Sequence, residues 1–492
     1  MSTGITDWAA AGTSSRGDGA MVAQPPPPNY ADFLASKDRT FHGDGITLTA
    51  DDVSTDLFAF QREIVAWAAR KGRAAVWADT GLGKTRMQVA WADHMTRAGG
   101  RALILAPLAV AQQTVAEAAR IGVTVEYVHD AAESRASNSR IVISNYDRLE
   151  RFNAGDYTAV VLDESSILKA FSGTTKRALV SMFAATPYRL SCSATPAPND
   201  LQELCNHADF LGVMSPQEMR STFFIADSRG EFMRYRLKGH AESAFYGWLA
   251  SWAVACRKPS DLGFSDDGYD LPPLSIDPHF VSTGWAPDGQ LFAADLKGIT
   301  ERAAVRRDTL DKRVAAAVDL VRSQPDEQWL IWCGLNSEAD AVAAALPGAV
   351  QVTGSDDADY KATMLARFAD GGIQYLVTKP SIAGMGLNFQ SCARMVFVGL
   401  SDSYEQYYQS IRRCYRFGQT RPVDVHIVLA DVEEPIYRNV LDKEATAKAT
   451  SAGLISAVAE INRADLFAGT SKQDDYEPRQ VAQIPEWLCP TQ

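Results

Sequence analysis

The sequence predicts an α/β protein built as two parallel-sheet lobes in tandem, with a helical stretch between them. Three observations predict it. Short, continuously apolar runs alternate with helix-period segments, the pattern of strands buried on both faces by crossover helices. The alternation occurs twice, with an irregular, aromatic-rich interval in the middle. The first apolar run also ends in a glycine-rich turn that opens directly into a helix pattern.

The elements follow in order. Residues 1–45 are rich in Gly, Ser, Ala and Pro and include Pro25-Pro26-Pro27-Pro28. Such a stretch has little to bury and is expected to be a flexible leader. Strands are expected over 74–78, 102–106, 141–144, 159–162 and 189–192, with helices over 85–96 and 110–120, so that 46–204 form the first lobe. Residues 205–275 read as a helical and irregular inter-lobe region around Phe245, Tyr246 and Trp248. Strands over 329–333, 350–353, 374–378, 395–398 and 423–428, with helices over 338–345 and 361–368, make a second lobe spanning 276–465. The polar residues 466–492 are expected to be a flexible tail, and no short-period repeat interrupts the scheme.

Composition narrows the function classes. The chain has 492 residues, 46% apolar and 22% charged, an ordinary soluble balance that excludes collagenous or wholly disordered chains. A net charge of −12 argues against a protein that coats nucleic acid, though not against one that grips phosphates along a narrow track of donors. The seven cysteines include no C-x-x-C pair, which argues against a zinc ribbon and for reduced, buried thiols in a cytosol. No apolar run approaches the roughly 18 residues of a membrane span. The N-terminus lacks a basic start followed by an apolar core. A cytoplasmic protein with no membrane partner is expected.

Ala78-Asp79-Thr80-Gly81-Leu82-Gly83-Lys84-Thr85 lies between a strand and a helix. Its glycines allow backbone N–H groups to curl around phosphate oxygens, and the helix start adds partial positive charge. Lys84 can reach the outer phosphates, and the Thr85 hydroxyl can ligate Mg²⁺. The general pattern begins with Gly where this chain has Ala78. Downstream, the strand over 159–162 delivers Asp163 and Glu164 at its carboxyl end, where parallel sheets place their ligands. Asp163 can hold Mg²⁺, and Glu164 can polarise an attacking water as general base. In the second lobe, residues 409–419 read as helical through Arg416. Arg413 and Arg416 then share one face and suit a triphosphate presented by the other lobe.

Taken in order, these segments resemble superfamily-two helicases, and within them the Swi/Snf-like DNA translocases. The resemblance implies RecA-like lobes, ATP and Mg²⁺ as cofactors, and duplex DNA gripped without regard to sequence. Gln61, at the end of Leu57-Phe58-Ala59-Phe60-Gln61, takes the adenine-recognising position. Thr80, Gly81, Leu82, Gly83, Lys84 and Thr85 correspond to motif I, and Asp163-Glu164-Ser165-Ser166 to motif II. Residues 105–108 look like motif Ia, 144–147 like the later strand-contacting motif, and Ser193-Ala194-Thr195-Pro196 like motif III. Residues 329–334 resemble motif IV, and 383–388, with Gly386 at the nucleotide, motif V. Arg416-Phe417-Gly418-Gln419 is close to the ending of motif VI, with Tyr415 in place of the usual His and Phe417 in place of Ile. Ser165-Ser166 stand where a histidine commonly links motif II to other groups. The carried-over nucleic-acid contacts are Pro107, Asn145, Thr195, Gly354 and Asn388, with Arg257 and Lys258 as weaker candidates.

The expected mechanism is closure of the two lobes on ATP and reopening on hydrolysis, each cycle shifting the grip on DNA. The compact form looks like those of bacteriophages and bacteria, in replication, recombination or repair. Strand separation, a motor subunit working with a separate nuclease or replication partner, and a non-hydrolysing DNA clamp are the alternatives. The oligomeric state is open.

Overall fold

The computed structural model describes residues 40–169, 173–197, 200–227, 234–282, 284, 305–383 and 388–467. The expected leader up to residue 39, the tail beyond Phe467 and Gly386 lie outside the described residues.

Along the chain, β1 (Arg73–Ala78), β2 (Ala102–Ala106), β3 (Val125–Tyr127), β4 (Ile141–Asn145), β5 (Ala159–Asp163) and β6 (Tyr188–Cys192) come first. They are followed by an antiparallel ribbon of β7 (Phe224–Asp227) and β8 (Arg234–Leu237), and by β9 (Ala253–Cys256). The ribbon apart, these strands form one parallel sheet in the order β3-β4-β2-β5-β6-β1-β9. Side chains alternate between the two faces, so a strand covered on both sides must be apolar at every position. Ala74, Val76 and Ala78 of β1 enter one core, and Ala75 and Trp77 the other. This alternation is the reason the run reads as continuously apolar.

The second lobe repeats the scheme with β10 (Leu274–Val281), β11 (Trp329–Cys333), β12 (Val350–Gln351), β13 (Tyr375–Thr378), β14 (Arg394–Val398) and β15 (Val423–Ala430). They lie in the order β10-β15-β14-β11-β13-β12, every pair parallel. Leu330 and Trp332 pack into one core, and Trp329, Ile331 and Cys333 into the other. The architecture is therefore two RecA-like α/β lobes in tandem, and the strands expected for both lobes are present, with the helices expected over 85–96, 110–120, 338–345 and 361–368.

Several placements were not foreseen. The stretch 205–275, expected as helical, also supplies β9, which lies beside β1 at the edge of the first sheet. β10 forms the opposite kind of surprise, since Pro278 sits within it. Among the described residues its only neighbour is β15, and an edge strand can spare the missing N–H. Finally, a 34-residue helix, Glu434–Phe467, starts on the second lobe through Ile436 and Val440 and ends on the first. There Leu454, Ile455 and Val458 enter the first lobe's core, and Asn462 Nδ2 donates to the Ala253 carbonyl at 3.1 Å. Phe41 and Gly45 are also tied to the first lobe: the Phe41 N–H donates to Ser251 Oγ, and that of Gly45 to the Arg70 carbonyl.

Among the described residues, six free cysteines are all buried, and no helix is long and apolar enough to cross a membrane.

Candidate nucleotide and nucleic-acid site

Strand order builds the site. β6 lies between β1 and β5, so the turn after β1, the carboxylates at the end of β5 and the segment leaving β6 converge on one edge of the sheet. The turn after β1 holds Gly81 and Gly83 at φ of 94° and 79°, a left-handed conformation open to glycine at little cost. Gly83 precedes the helix Lys84–Thr96, so Lys84 and Thr85 occupy its first turn. Lys84 Nζ donates to the Ala78 and Asp79 carbonyls at 2.7 and 3.2 Å, which folds it back over the loop. Thr80 N–H donates to Asp79 Oδ1, and Leu82 is buried. Gln61 is a strut: its Oε1 accepts from the Phe58 N–H at 3.0 Å, and its Nε2 donates to the Leu82 carbonyl at 2.9 Å. A Cβ at position 83 would fall 2.3 Å from that Nε2, so the strut itself requires glycine there.

Asp163 is buried, accepts a hydrogen bond from Gln88 Nε2 at 2.7 Å, and has its own carbonyl bonded to Tyr146 OH at 2.8 Å. Burial pushes its carboxyl above the ordinary range, opposed by Gln88 and Lys84. Burial does the same to Glu164, again opposed by Lys84. Glu164 is the one non-glycine residue among those described with positive φ, 57°. Such a backbone costs of order 1 kcal/mol or more and aims the side chain off the strand direction. Its Oε1 accepts from Ser193 Oγ at 2.9 Å and Ser166 Oγ at 3.3 Å. Motif II and motif III are thus joined by a direct side-chain bond.

The second lobe reaches the same edge, with a correction to the expected helix. It runs Tyr404–Ile411 and ends there, so Arg413 and Arg416 lie in the following turns instead of on one helical face. They still face the first lobe. A Cβ on Gly81 would meet the Phe417 backbone nitrogen at 2.9 Å and Arg416 Cβ at 3.7 Å. Arg413 is buried and held by the Gln409 carbonyl and Oε1. Burial pulls its guanidinium down and the nearby Glu164 carboxylate is the leading charge holding it up. For Arg416, burial and then the neighbouring Arg413 both act downward. The contact that sequence reading missed is Arg412, whose Nη2 lies 3.1 Å from Asp79 Oδ2, with Tyr408 OH bonded to the other carboxylate oxygen. Lys169 also pairs with Glu405 across the lobes.

The fit to a nucleoside triphosphate with Mg²⁺ rests on these groups. The left-handed glycines form a cradle of backbone donors. Beside Asp163, Gln88 Oε1 is a buried polar atom with no hydrogen-bond partner among the described residues.

The nucleic-acid candidates of the first lobe lie at the same sheet edge: Asn145 ends β4, Pro107 follows β2 and Thr195 follows β6. Asn145 Oδ1 and Thr195 Oγ1 are buried without a partner among the described residues. In the second lobe, Gly354 is exposed and its carbonyl accepts from Lys361 Nζ at 2.6 Å, while Asn388 Oδ1 is another buried atom without a partner. Arg257 and Lys258 are exposed just beyond β9, where Lys258 pairs with Asp266 at 3.1 Å.

Comparison with known proteins agrees with this geometry. Residues 58–204 match the DEAD/DEAH box helicase model, and residues 312–418 the helicase conserved C-terminal domain. The mouse DNA annealing helicase and endonuclease ZRANB3 is 20% identical over 436 residues, covering 77% of this chain and 39% of the relative. The Arabidopsis thaliana Protein CHROMATIN REMODELING 24 is 23% identical over 505 residues, covering 80% of this chain and 46% of the relative. The chain thus spans less than half the length of either. A solved Sulfolobus solfataricus SWI2/SNF2 ATPase core in complex with dsDNA matches with a TM-score of 0.41 at 15% identity, over 86% of this chain and 99% of that one. The two matched domains stand in the order and lobes that carry the converging groups: the first lobe carries the DEAD/DEAH box helicase domain and the second the helicase conserved C-terminal domain, a pair that implies a nucleic-acid-dependent ATPase.

Proposed function

We propose that this helicase-class ATPase is a Swi/Snf-like translocase that moves along duplex DNA without reading its sequence. The observation that carries the reading is the meeting of Lys84, Asp163 and Glu164 from one lobe with Arg412, Arg413 and Arg416 from the other across one cleft. The distant relatives, one named as a DNA annealing helicase and the other for chromatin remodelling, support DNA as the track. The compact second lobe supports a bacterial or bacteriophage setting in replication, recombination or repair.

ATP with Mg²⁺ supplies the phosphoanhydride bond whose hydrolysis drives the cycle. Thr80, Gly81, Leu82 and Gly83 would bind phosphate through backbone donors, and Lys84 would leave its loop carbonyls for phosphate oxygen. Thr85 and Asp163 would hold the metal, Gln61 the base and Gly386 the nucleotide from the second lobe. Glu164, anchored by Ser193, orients the water and accepts its proton. Arg413 and Arg416 offset developing negative charge, the role in which one arginine contributes about 10³-fold or more. Pro107, Asn145, Thr195, Gly354 and Asn388 would follow the phosphate backbone, because sequence-independent grip rests on phosphate contacts.

The test is ATP turnover with no nucleic acid, single-stranded DNA, duplex DNA and RNA in parallel, beside Lys84→Ala and Glu164→Gln. Stimulation greatest with duplex, and lost in both variants, is expected. Equal, negligible turnover in all three proteins would favour a non-hydrolysing clamp, and a third-strand displacement assay beside a forked substrate separates translocation from unwinding.

A further inference from the structure

Ser165-Ser166 leave motif II without its usual histidine, yet a histidine stands beside it. We propose that His207, from the helix Leu204–Leu211, is a positioning residue that couples the acidic pair to the motif III segment 193–196. The proposal rests on the translocase reading for its functional consequence, and on the hydrogen bonds alone for its structure.

His207 is fully buried, and every partner it has belongs to the ATP site's own framework. Its Nε2 lies 3.0 Å from the Pro196 carbonyl. A carbonyl only accepts, so Nε2 carries the hydrogen and Nδ1 is the acceptor. Nδ1 faces a pair of hydroxyls, Ser191 Oγ at 2.8 Å and Ser165 Oγ at 3.5 Å, from which it accepts. Within that pair Ser191 Oγ donates to Ser165 Oγ at 2.9 Å. The network therefore runs from the residue after Glu164, through β6 and His207, to the last residue of motif III. All the side chains in it are buried at 0% exposure, where an unmade bond costs most.

Two further contacts fix the helix as a coupler. Its neighbour Asn206 donates from Nδ2 to the Lys169 carbonyl at 3.1 Å, at the end of the segment that follows motif II. The Trp77 ring of β1 stands edge-on to His207 at 5.7 Å, tying the strand that feeds the phosphate loop to the same point. Segment 193–196 is consequently held at both ends by motif II: Ser193 bonds Glu164 directly, and Pro196 is reached from Ser165 through His207. Burial brings the imidazole down to about 4, so it stays neutral at working pH and keeps the tautomer that donates to the Pro196 carbonyl. A change in the position or charge of Glu164 is then transmitted to Thr195 as a shift of a segment gripped at two points.

The experiment uses the full chain with His207→Ala and His207→Gln, the latter keeping an N–H that can reach the Pro196 carbonyl. Duplex-stimulated kcat is expected to fall about tenfold in the alanine variant with KM for ATP little changed, and to recover largely in the glutamine variant. Hydrogen exchange without DNA is measured on the same proteins, and peptides over 164–169 and 193–197 are expected to exchange faster in His207→Ala. Wild-type stimulation retained in His207→Ala, or unchanged exchange in both peptides, overturns the coupling role. A wild type that ignores duplex DNA defeats the translocase reading instead, and the exchange comparison then decides the coupling on its own.

Discussion

Arg412 and Asp79 stand 3.1 Å apart, each largely shielded from solvent, and join the second lobe to the first residue of the phosphate turn. Tyr408 bonds the same carboxylate, and the Arg412 guanidinium lies 5.2 Å over the Tyr408 ring and 5.4 Å over that of Tyr415. The phosphate loop is therefore sensed by the second lobe through a side chain outside the nucleotide's own ligands. If this pair reports lobe closure, its two members act as a unit in turnover. In a double-mutant cycle on kcat/KM, Asp79→Ala and Arg412→Ala should each lower activity, with a coupling of about 1 kcal/mol between them. Strictly additive losses would mean that the pair has no part in closure.

Ser193 bears on the protonation of Glu164, after burial, Lys84, Asp163 and Glu405. Burial raises the Glu164 carboxyl, and the Ser193 hydrogen bond, which favours the charged form, is among the influences pulling it down. A general base must be ionised, so activity falls as acid titrates Glu164. Removing the bond in Ser193→Ala raises the carboxyl further and moves the acid limb of the pH–rate profile to higher pH. Profiles of kcat between mildly acidic and neutral pH check this. An acid limb that stays in place, or moves lower, contradicts the assignment of Glu164 as base.

Beneath the second sheet, Arg313 and Glu338 pair at 2.8 Å with both side chains at 0% exposure. Glu338 Oε2 also accepts from the N–H groups of Gly334 and Leu335, fixing the turn after β11. Arg313→Ala would leave a buried carboxylate without its guanidinium, which costs about 3–5 kcal/mol. Chemical unfolding should register that loss, while Arg313→Ala/Glu338→Ala should be less damaged than the sum of the singles.

Much of the fold was legible because the physics is local. Strands buried on both faces must be apolar throughout, and a phosphate turn needs left-handed residues, so 74–85 announced themselves. What escaped depends on tertiary context. β3 is only Val125–Tyr127, and β9 only Ala253–Cys256, runs too short to show a period. β10 carries Pro278, which argues against a strand until its edge position is known. Arg413 and Arg416 were chosen by helical spacing, but the helix stops at Ile411, and that stop is what turns Arg412 toward Asp79. The left-handed backbone of Glu164 has no sequence signal, since glycine would be the ordinary choice there. His207 was invisible as a lone histidine in a stretch read only as helical, because its meaning comes from β6 lying between β1 and β5.

The burial of His207 also predicts how stability depends on pH. Its imidazole titrates at about 4 in the folded chain, against an ordinary 6.5. Between these values the unfolded chain binds a proton that the folded chain refuses, so stability is fully present above pH 6.5 and is lost as pH falls through 4. The loss attributable to this one group is at most about 3 kcal/mol. His207→Gln removes the titrating group, so its unfolding midpoint should decline less than wild type's over that interval, even though the variant begins from a lower value at neutral pH. Thermal unfolding at several pH values measures both slopes. Parallel slopes for the two proteins would mean that His207 accepts its proton in the folded state as easily as in water, and that the buried network around it opens at acid pH.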